Sequence, residues 1–365
     1  MVSKMKKKHR VGVIGCGGIS ATHIRGIMES PDLEVGALCD ILPEKLKEKQ
    51  ILCSAADHMC YGNYIEMLDS GKIDAVSICT PNNMHFEMAM EAVKRSLPYA
   101  TEKPACGTEA QVAELMKETE KKNLPNMVCF SYRFIPAARY ARDIILSGAL
   151  GKLTHVNADY LQQMGLPGPD GELVPLIWRF IKDIAFSGAL GDLGCHLIDM
   201  CRFMVGCEFT RISADYDTFV YKRPMPDGGP DGDVTVDDYV NIIGQMEGRI
   251  AANLSISRFA YGRENYQRIE VYGEKGGLRY NLEGYIPDFE DRLEINIGNT
   301  PMKDTCTWTV VPVPKAYKAS QMQSFADILN GCGDGLAADI QDGWKTQRVL
   351  DGAIDSAEKG LRVVL

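Results

Sequence analysis

Three groups of residues have types and spacings that suit catalysis or cofactor binding, and the first lies near the N-terminus. Val11–Ile14 is typical of a short buried strand, and it is followed by the glycine-rich segment Gly15–Ser20 and a helical pattern. In this context Gly15 permits a tight turn, and Gly17 lets the backbone approach a pyrophosphate that the positive end of the helix attracts. The third position of the motif is Ser20, which is small enough for close packing of helix on strand. The segment therefore predicts a dinucleotide site.

A carboxylate follows the second predicted strand. Leu33–Leu38 is rich in apolar residues and leads to Asp40. An acid about 20 residues beyond the glycine turn can accept a hydrogen bond from the ribose 2′-hydroxyl and repels a 2′-phosphate. Asp40 therefore predicts NAD rather than NADP as the cofactor. A helix cap before Leu42-Pro43-Glu44 is the alternative role, and Asp40 could fulfil both.

The second group is the turn Thr101-Glu102-Lys103-Pro104, which follows a predicted strand over Leu97–Ala100. A lysine here stands at the carboxyl edge of a sheet, where open α/β sheets bind their ligands. Pro104 biases Lys103 toward an extended backbone. Taken alone, these four residues favour an ordinary charged turn, whereas the surrounding pattern favours a cation aimed at a ligand.

The third group lies in the second half of the chain. On a helix, Asp192, His196 and Asp199 fall at i, i+4 and i+7 and form one polar stripe. A histidine flanked by acids can accept a proton near neutral pH. The neighbouring stripe is apolar and should face the core: Leu193, Leu197, Met200 and Met204. A capping aspartate beside a core histidine is an equally open reading, whereas a metal site with Cys195 is disfavoured because adjacent helical residues point about 100° apart.

The elements that must position these groups differ between the two parts of the chain. Strands and helices alternate up to residue 130, which predicts a doubly wound parallel Rossmann sheet. From residue 131, consecutive strands without intervening helices predict an α/β domain with a large, mostly antiparallel sheet: 154–163, 209–222, 237–246, 249–258, 267–273, 277–282, 292–297 and 307–313. We therefore expect a dinucleotide-binding domain at 1–130 and a substrate-binding and oligomerisation domain at 131–365.

The composition excludes several classes of partner. The chain has 365 residues, 45% of them hydrophobic and 24% charged, and a net charge of −9. This charge argues against nucleic acid or an anionic membrane as a partner. No apolar run is long enough for a membrane span, so a cytoplasmic protein is expected. The 12 cysteines include no Cys-x-x-Cys pair, so neither a disulfide framework nor a metal site is predicted.

Together these features resemble the Gfo/Idh/MocA family of NAD(P)-dependent oxidoreductases over essentially the whole chain. The ordered set of motifs is specific, although no single motif is. The matching residues are Gly15–Ser20; Thr80-Pro81-Asn82 with His85; Glu102-Lys103-Pro104; Tyr132-Arg133-Phe134 with Pro136; Gly191-Asp192-x-Gly194-x-His196-x-x-Asp199; and the closing segment Asp339–Val363.

The resemblance implies roles for these residues. Lys103 would lie by the nicotinamide and contact the reacting oxygen, and Asp192 and His196 would form the substrate-binding and acid/base pair. The implied cofactor contacts are Gly15, Gly17, Gly18, Ile19, Asp40, Thr80, Asn82, His85, Glu102 and Lys103. The candidate substrate contacts are Arg133, Trp178, Arg179, Asp192 and His196, with Trp178 either stacking on a sugar or serving as a core residue.

The predicted activity is an NAD-dependent dehydrogenase that oxidises a secondary ring hydroxyl of a sugar or glycoside, with 3-oxidation of a glucoside favoured. The family implies small-molecule substrates such as sugars, glycosides or polyols, and a homo-oligomer, a dimer or tetramer built on the large sheet. Three alternatives stay open: an inositol dehydrogenase, an NAD-dependent glycosidase that oxidises C3 transiently, and a non-catalytic nucleotide-sensing regulator. The presence of Lys103, Asp192 and His196 disfavours the regulator.

Overall fold

The computed structural model describes residues 8–284, 292–298 and 307–365. The chain divides into two compact units. The first extends to Ser131 and also includes Ala319–Trp344, and the second comprises Tyr132–Lys318 and Lys345–Leu365. The expected domains, 1–130 and 131–365, differ from these units because residues 319–344 belong to the first unit.

The described residues form ten α-helices and seventeen strands. The helices are α1 Ser20–Glu29, α2 Pro43–Cys53, α3 Tyr64–Asp69, α4 Asn82–Lys94, α5 Glu109–Lys121, α6 Pro136–Leu146, α7 Lys182–Ala185, α8 Cys195–Val205, α9 Gln321–Leu329 and α10 Ile340–Lys359. The strands are β1 His9–Ile14, β2 Leu33–Cys39, β3 Cys60–Tyr61, β4 Ala75–Ile78, β5 Tyr99–Thr101, β6 Asn126–Val128, β7 Leu153–Leu161, β8 Phe209–Asp217, β9 Lys222–Arg223, β10 Gly232–Asp233, β11 Tyr239–Met246, β12 Ile250–Ser257, β13 Tyr266–Gly273, β14 Gly276–Glu283, β15 Arg292–Ile297, β16 Thr309–Val310 and β17 Val363–Val364. In this part of the chain no helix is both long and apolar enough to cross a membrane.

The first unit contains the predicted Rossmann sheet. Among its described residues, six strands pair in the order β3-β2-β1-β4-β5-β6, and every pair is parallel. The strand order reverses between β1 and β4, so the ligand crevice of such a fold lies at the carboxyl ends of these strands. The residues that follow these ends include Gly15, Asp40, Cys79 and Glu102. The prediction of a doubly wound parallel sheet is confirmed.

Two predicted boundaries in this unit shift by a few residues. β5 covers Tyr99–Thr101 instead of Leu97–Ala100, so a single residue separates the strand from Lys103. The helical pattern of the sequence predicts a start at Phe86, whereas α4 begins at Asn82, directly after Pro81. Proline before this point suits a helix start, because its fixed φ and missing N–H cost nothing there. His85 therefore lies in the first turn of α4 and not in the loop before it.

The second unit contains a large mixed sheet. Its described strands pair in the order β16-β15-β14-β13-β7-β12-β11-β8-β17. The pair β7–β12 is parallel and the others are antiparallel, which confirms the mostly antiparallel prediction. The predicted run 209–222 divides into β8 and β9, and β9 pairs with β10 in a separate hairpin. Of the predicted run 307–313, only Thr309–Val310 is a strand.

Helix α8 carries His196, and every one of its residues is buried. It packs against α6 and against β7 and β13 of the large sheet. The predicted apolar stripe of Leu193, Leu197, Met200 and Met204 is buried as expected. The remaining faces of the helix are buried as well, so its polar side chains need hydrogen-bonding or ionic partners.

Candidate active site

The glycine-rich loop between β1 and α1 has the geometry of a dinucleotide site. Gly15 adopts a φ of +87°, and a Cβ there would lie 2.7 Å from the carbonyl oxygen of Cys79, so both the backbone and the packing require glycine. At Gly17, by contrast, an added Cβ would have nothing among the described residues within 4 Å beyond its chain neighbours. Because the fold leaves room at Gly17, the absence of a side chain there serves the approach of a ligand.

The residues after Gly17 complete the loop. Gly18 is exposed and Ile19 is 43% exposed, so both can contact a bound dinucleotide. Ser20 is buried at the start of α1, and its hydroxyl donates a 2.7 Å hydrogen bond to the carbonyl oxygen of Gly17. α1 thus starts at the accessible part of the loop, where its N-terminal N–H groups can favour a phosphate.

Asp40 lies just after β2 and connects two neighbouring segments. Its Oδ2 accepts a 2.6 Å hydrogen bond from the Cys16 N–H, and its Oδ1 accepts one of 2.8 Å from the Leu42 N–H. The second contact is to the backbone of Leu42, the residue before α2, so Asp40 shapes the turn into the helix but does not cap its first N–H groups. A carboxylate offers about four acceptor positions, which leaves capacity for a ribose hydroxyl. The predicted cofactor contact is compatible with this geometry and stays a proposal.

The substitution Asp40→Asn is expected to weaken NAD binding about 10-fold and to reduce the preference for NAD over NADP by at least as much. The substitution removes the negative charge of the side chain. A hydrogen bond to a charged group contributes about 1.5–3 kcal/mol, and the same charge repels the 2′-phosphate of NADP. Titration of the intrinsic fluorescence with each cofactor measures both changes. Glu44→Gln removes the same charge at an exposed position of α2 and serves as the control. An unchanged cofactor ratio in Asp40→Asn would assign Asp40 to its backbone contacts with Cys16 and Leu42 alone.

His85 ties together the turns that follow β4 and β5. Its Nδ1 lies 2.8 Å from the carbonyl oxygen of Pro104, and its Nε2 lies 2.9 Å from that of Thr80. The ring is fully buried, which favours a structural role over the predicted direct contact with the cofactor. Thr80 is half-buried and Asn82 is 8% exposed at the start of α4, so both stay at the sheet edge that carries Lys103.

Lys103 follows β5 at this same edge, and its backbone contacts the Glu102 side chain. The Lys103 N–H donates to Glu102 Oε2 at 3.3 Å, whereas Glu102 Oε1 lies 2.8 Å from Nε2 of His23. Glu102 is 8% exposed and His23 is 1% exposed. The carboxylate of Glu102, predicted to contact the cofactor, is thus part of a buried pair beside the lysine turn.

In the second unit, two arginines hold Asp192. This residue lies in Leu190–Gly194, a π-helical turn that leads directly into α8. Its Oδ2 accepts a 3.2 Å hydrogen bond from Nη2 of Arg258 and lies 3.6 Å from Nε of Arg179. Arg258 is 1% exposed and Asp192 retains 18% of its side-chain surface. The carboxylate is therefore oriented by a buried cation yet still accessible to a ligand.

The backbone of the π-helical turn is anchored from a distant segment. The Asp237 carboxylate accepts hydrogen bonds from the N–H groups of Gly188, at 2.6 Å, and Leu190, at 2.7 Å. Arg258 donates to the carbonyl oxygen of Gly188 at 3.0 Å. A Cβ at Gly188 would lie 1.8 Å from the carbonyl oxygen of Asp237, so only glycine allows this approach. These contacts fix the position of the Asp192 backbone.

His196 lies against a cluster of hydrogen-bonded polar side chains. Its ring is 4.6 Å from that of Tyr132 in an edge-on arrangement, and its side chain is 6% exposed. The hydroxyls of Tyr132 and Tyr160 are 2.7 Å apart, and each lies within hydrogen-bond distance of Asn265 Oδ1, at 3.1 and 2.6 Å. Burial raises the pKa of Tyr160 well above its ordinary value, so this phenol stays protonated. The cluster surrounds one side of the predicted acid/base histidine with hydroxyl groups.

The predicted stripe of Asp192, His196 and Asp199 does not hold as one accessible polar face. Asp199 is fully buried and pairs with Arg133 through two contacts, of 2.8 Å and 2.6 Å, and with Arg202 at 3.5 Å. The π-helical turn also breaks the i, i+4 spacing, which applies to a regular α-helix. Arg133, predicted as a substrate contact, therefore has a structural role, because its guanidinium is buried against Asp199.

Trp178 and Arg179 lie beside Asp192. The Arg179 guanidinium stacks on the Trp178 ring, 4.4 Å from its centroid, while the same side chain approaches Asp192. Arg179 retains 38% of its side-chain surface. The structure thus brings together three of the predicted substrate contacts, with one face of the indole covered by the arginine.

Sequence reasoning missed three residues that shape these sites. Tyr132 is part of the Tyr-Arg-Phe motif, but only its neighbour Arg133 was predicted to have a functional role. His23 occupies the buried face of α1 with Ile24 and Ile27, and a histidine on such a face was a usable signal. Arg258 follows β12 with no local pattern, so only the fold places it on Asp192.

Comparison with known proteins identifies the family. Residues 9–130 match the family model described as an oxidoreductase family with an NAD-binding Rossmann fold, and residues 138–279 match the GFO/IDH/MocA C-terminal domain. The chain is 30% identical over 317 residues to levoglucosan dehydrogenase of Pseudarthrobacter phenanthrenivorans, across 80% of each chain. It is 25% identical over 354 residues to glucose-6-phosphate 3-dehydrogenase of Bacillus subtilis, across 94% of each chain.

A solved structure extends the comparison to the whole fold. Levoglucosan dehydrogenase in complex with NADH superposes with a TM-score of 0.86 at 27% identity, covering 98% of this chain and 99% of that one. This likeness and the Rossmann family model confirm the predicted cofactor, NAD. The protein therefore belongs to the Gfo/Idh/MocA family of oxidoreductases with an NAD-binding Rossmann fold.

Proposed function

We propose that this protein is an NAD-dependent dehydrogenase that oxidises a secondary ring hydroxyl of a sugar or glycoside, with the 3-hydroxyl of a glucoside as the favoured position. The observation that carries the proposal is the Asp192 site beside His196. It combines an oriented, partly exposed carboxylate, a histidine and several hydroxyl groups. Such a set suits a ligand with several hydroxyls, because each hydroxyl needs both a donor and an acceptor.

The proposed chemistry divides the work among three side chains. Bound NAD supplies the hydride acceptor. His196 accepts the proton of the reacting hydroxyl, and Lys103, as a cation, stabilises the alkoxide that develops as the proton leaves. Asp192, held by Arg258, accepts a hydrogen bond from a neighbouring hydroxyl and fixes the orientation of the ring.

The substrate class is supported by the named activities of the relatives. Levoglucosan is an anhydrosugar, a glucose ring whose anomeric carbon is already in an acetal, as it is in a glucoside. The Bacillus relative is named for oxidation at position 3 of a glucose phosphate. Arg179 and Arg258 both lie against the Asp192 carboxylate, so a substrate phosphate would have to compete with that carboxylate for them. We therefore favour an uncharged glucoside over a sugar phosphate.

The test is incubation of the purified protein with NAD and a panel of ring polyols: levoglucosan, methyl glucosides, O- and C-glycosides, glucose 6-phosphate, free sugars and inositols. We expect absorbance at 340 nm to rise and the product to lose about two daltons by mass spectrometry, with its carbonyl at C3 by NMR. The protein is also denatured and assayed for NAD that co-purified, because retained cofactor would mask the absorbance change.

The outcomes separate the alternatives. An oxo-sugar that retains its aglycone supports the proposal. Oxidation of an inositol and of no sugar would change the proposed substrate class from a sugar to a cyclitol. Release of the aglycone without a net change in NAD would identify a glycosidase that oxidises its substrate transiently. Bound NAD that no member of the panel reduces, even in single-turnover measurements, would contradict the proposed activity.

A further inference from the structure

A buried histidine–carboxylate pair connects helix α1 with the turn that carries Lys103. His23 is 1% exposed, and its two ring nitrogens have different partners. Nδ1 lies 2.8 Å from the hydroxyl oxygen of Ser77 on β4, and Nε2 lies 2.8 Å from Oε1 of Glu102 after β5. The second carboxylate oxygen accepts the Lys103 N–H at 3.3 Å. One histidine therefore links α1, β4 and the lysine turn.

The charges in this cluster support a histidine that is cationic at neutral pH. Burial opposes the charged form, but Cys79 and Glu102 outweigh it and raise the pKa of His23 to about 10. Burial also opposes the charged form of Glu102, but the hydrogen bond and charge of His23, with the charge of Lys103, lower the pKa of Glu102. An imidazolium donates from both nitrogens at once, to Glu102 and to the Ser77 hydroxyl, whereas a neutral ring keeps both contacts only if the Ser77 hydroxyl is the donor.

The pair matters for Lys103 because two cations, the His23 ring and the Lys103 ammonium, compete for the Glu102 carboxylate. Glu102 is adjacent in sequence to Lys103 and interacts with its charge. If His23 were neutral, the buried carboxylate would have no compensating cation except the lysine ammonium, and it would draw that ammonium toward itself. With His23 charged, Glu102 is compensated from the other side, and its pull on the Lys103 ammonium is weaker.

We propose that His23 is a positioning residue for Lys103: its imidazolium neutralises and orients Glu102, and Glu102 in turn holds the backbone of the lysine turn. The inference rests on the proposed function for its consequence in turnover, although the ion pair itself is independent of the substrate. Displacement of a catalytic group by about 1 Å can reduce turnover 10²-fold. The positioning effect is therefore of that order.

A metal ion is the competing explanation for this cluster. Ligand atoms of His23, Glu102 and Cys129 lie within 4.8 Å of one another, and all three residues are buried. Burial, with the charges of Glu102 and Cys79, raises the pKa of the Cys129 thiol well above its ordinary value, so a metal ion would have to displace the thiol proton in order to bind. Both ring nitrogens of His23 also already have hydrogen-bond partners. The geometry points to an ion pair and not to a metal site.

The experiment compares His23→Gln, Glu102→Gln and the double variant with His58→Gln, which makes the same change at an exposed histidine. We expect each single variant to lower kcat about 10²-fold and to change the Kd for NAD by a much smaller factor, because the glycine loop is untouched. The double variant should be no slower than the slower single variant, since both remove one unit. If a single variant fails to fold, Ser77→Ala removes only the second partner of His23 and should give a smaller change in the same direction.

Two readouts need no substrate and so separate this inference from the proposed function. ¹⁵N NMR of labelled histidines should show one imidazolium at pH 8 that is lost in His23→Gln and kept in His58→Gln. Acetylation of Lys103, followed by mass spectrometry across pH, should require a higher pH in His23→Gln, because the lysine then pairs with Glu102. A neutral His23 at pH 8, an unchanged Lys103 profile, or a stoichiometric metal lost from His23→Gln would overturn the proposal.

Discussion

Replacement of Lys103 by alanine is expected to lower kcat by about 10²–10³-fold while NAD still binds. Removal of a single group that stabilises a developing oxyanion typically has this effect, because the charge appears in the transition state and not in the bound ground state. Binding of NAD should persist, because the predicted contacts at Gly15, Gly17 and Asp40 follow β1 and β2, whereas Lys103 follows β5. Steady-state kinetics with the substrate found in the panel, together with NAD titration, measures both quantities.

Two further variants separate charge from structure at this position. Lys103→Met keeps most of the length of the side chain but not its charge and should be as slow as alanine, whereas Lys103→Arg should recover part of the rate. Lys121→Ala removes an exposed lysine of α5 that pairs with Glu118 and should leave kcat unchanged. Activity of Lys103→Ala within about threefold of the wild type would assign the lysine to the turn alone, since such a ratio is less than 1 kcal/mol.

The parts of the site that the sequence predicted well depend on short stretches of chain. Gly15 is required by the left-handed backbone of one turn, and Asp40 is placed by the end of the strand that precedes it. Lys103 is likewise placed by the end of its strand, from which only Glu102 separates it. A strand, a turn and a helix start each depend on about ten consecutive residues, so they can be predicted without knowledge of the tertiary fold.

The parts that were missed depend on contacts between distant segments. Asp199 appeared to share a face with His196, yet Arg133, 66 positions away, pairs with it in the core. Arg258 contacts Asp192 from 66 positions further along the chain. Asp237, whose carboxylate accepts a hydrogen bond from the Gly188 N–H, lies on a third segment. The i, i+4 pattern assumed a regular α-helix, and the π-helical turn at Leu190–Gly194 changed it. Such pairings are set by the fold, so neither spacing nor composition could reveal them.

His196 and Asp199 have different proposed roles, acid/base catalysis and structural ion pairing, and the difference has a simple physical basis. A fully buried carboxylate requires cations, and the structure supplies two arginines, which leaves Asp199 no part in proton transfer. His196 instead borders the rings of Tyr132 and Tyr160, whose hydroxyl groups hydrogen-bond to each other beside it. This surrounding suits a group that must exist both with and without its proton during each turnover.

The substitution His196→Ala is therefore expected to lower kcat by about 10²–10⁴-fold and to flatten the limb of the pH–rate profile between about pH 5 and 8, the range in which histidine titrates. His155→Ala, on an exposed position of β7, makes the same change elsewhere in the second unit and should leave both the rate and the profile intact. His196→Asn limits the cavity against Tyr132 and should resemble alanine in its pH profile. If the limb persists in both His196 variants, another group accepts the proton. Because the phenol of Tyr160 stays protonated, the next base to test would be Asp192, through Asp192→Asn.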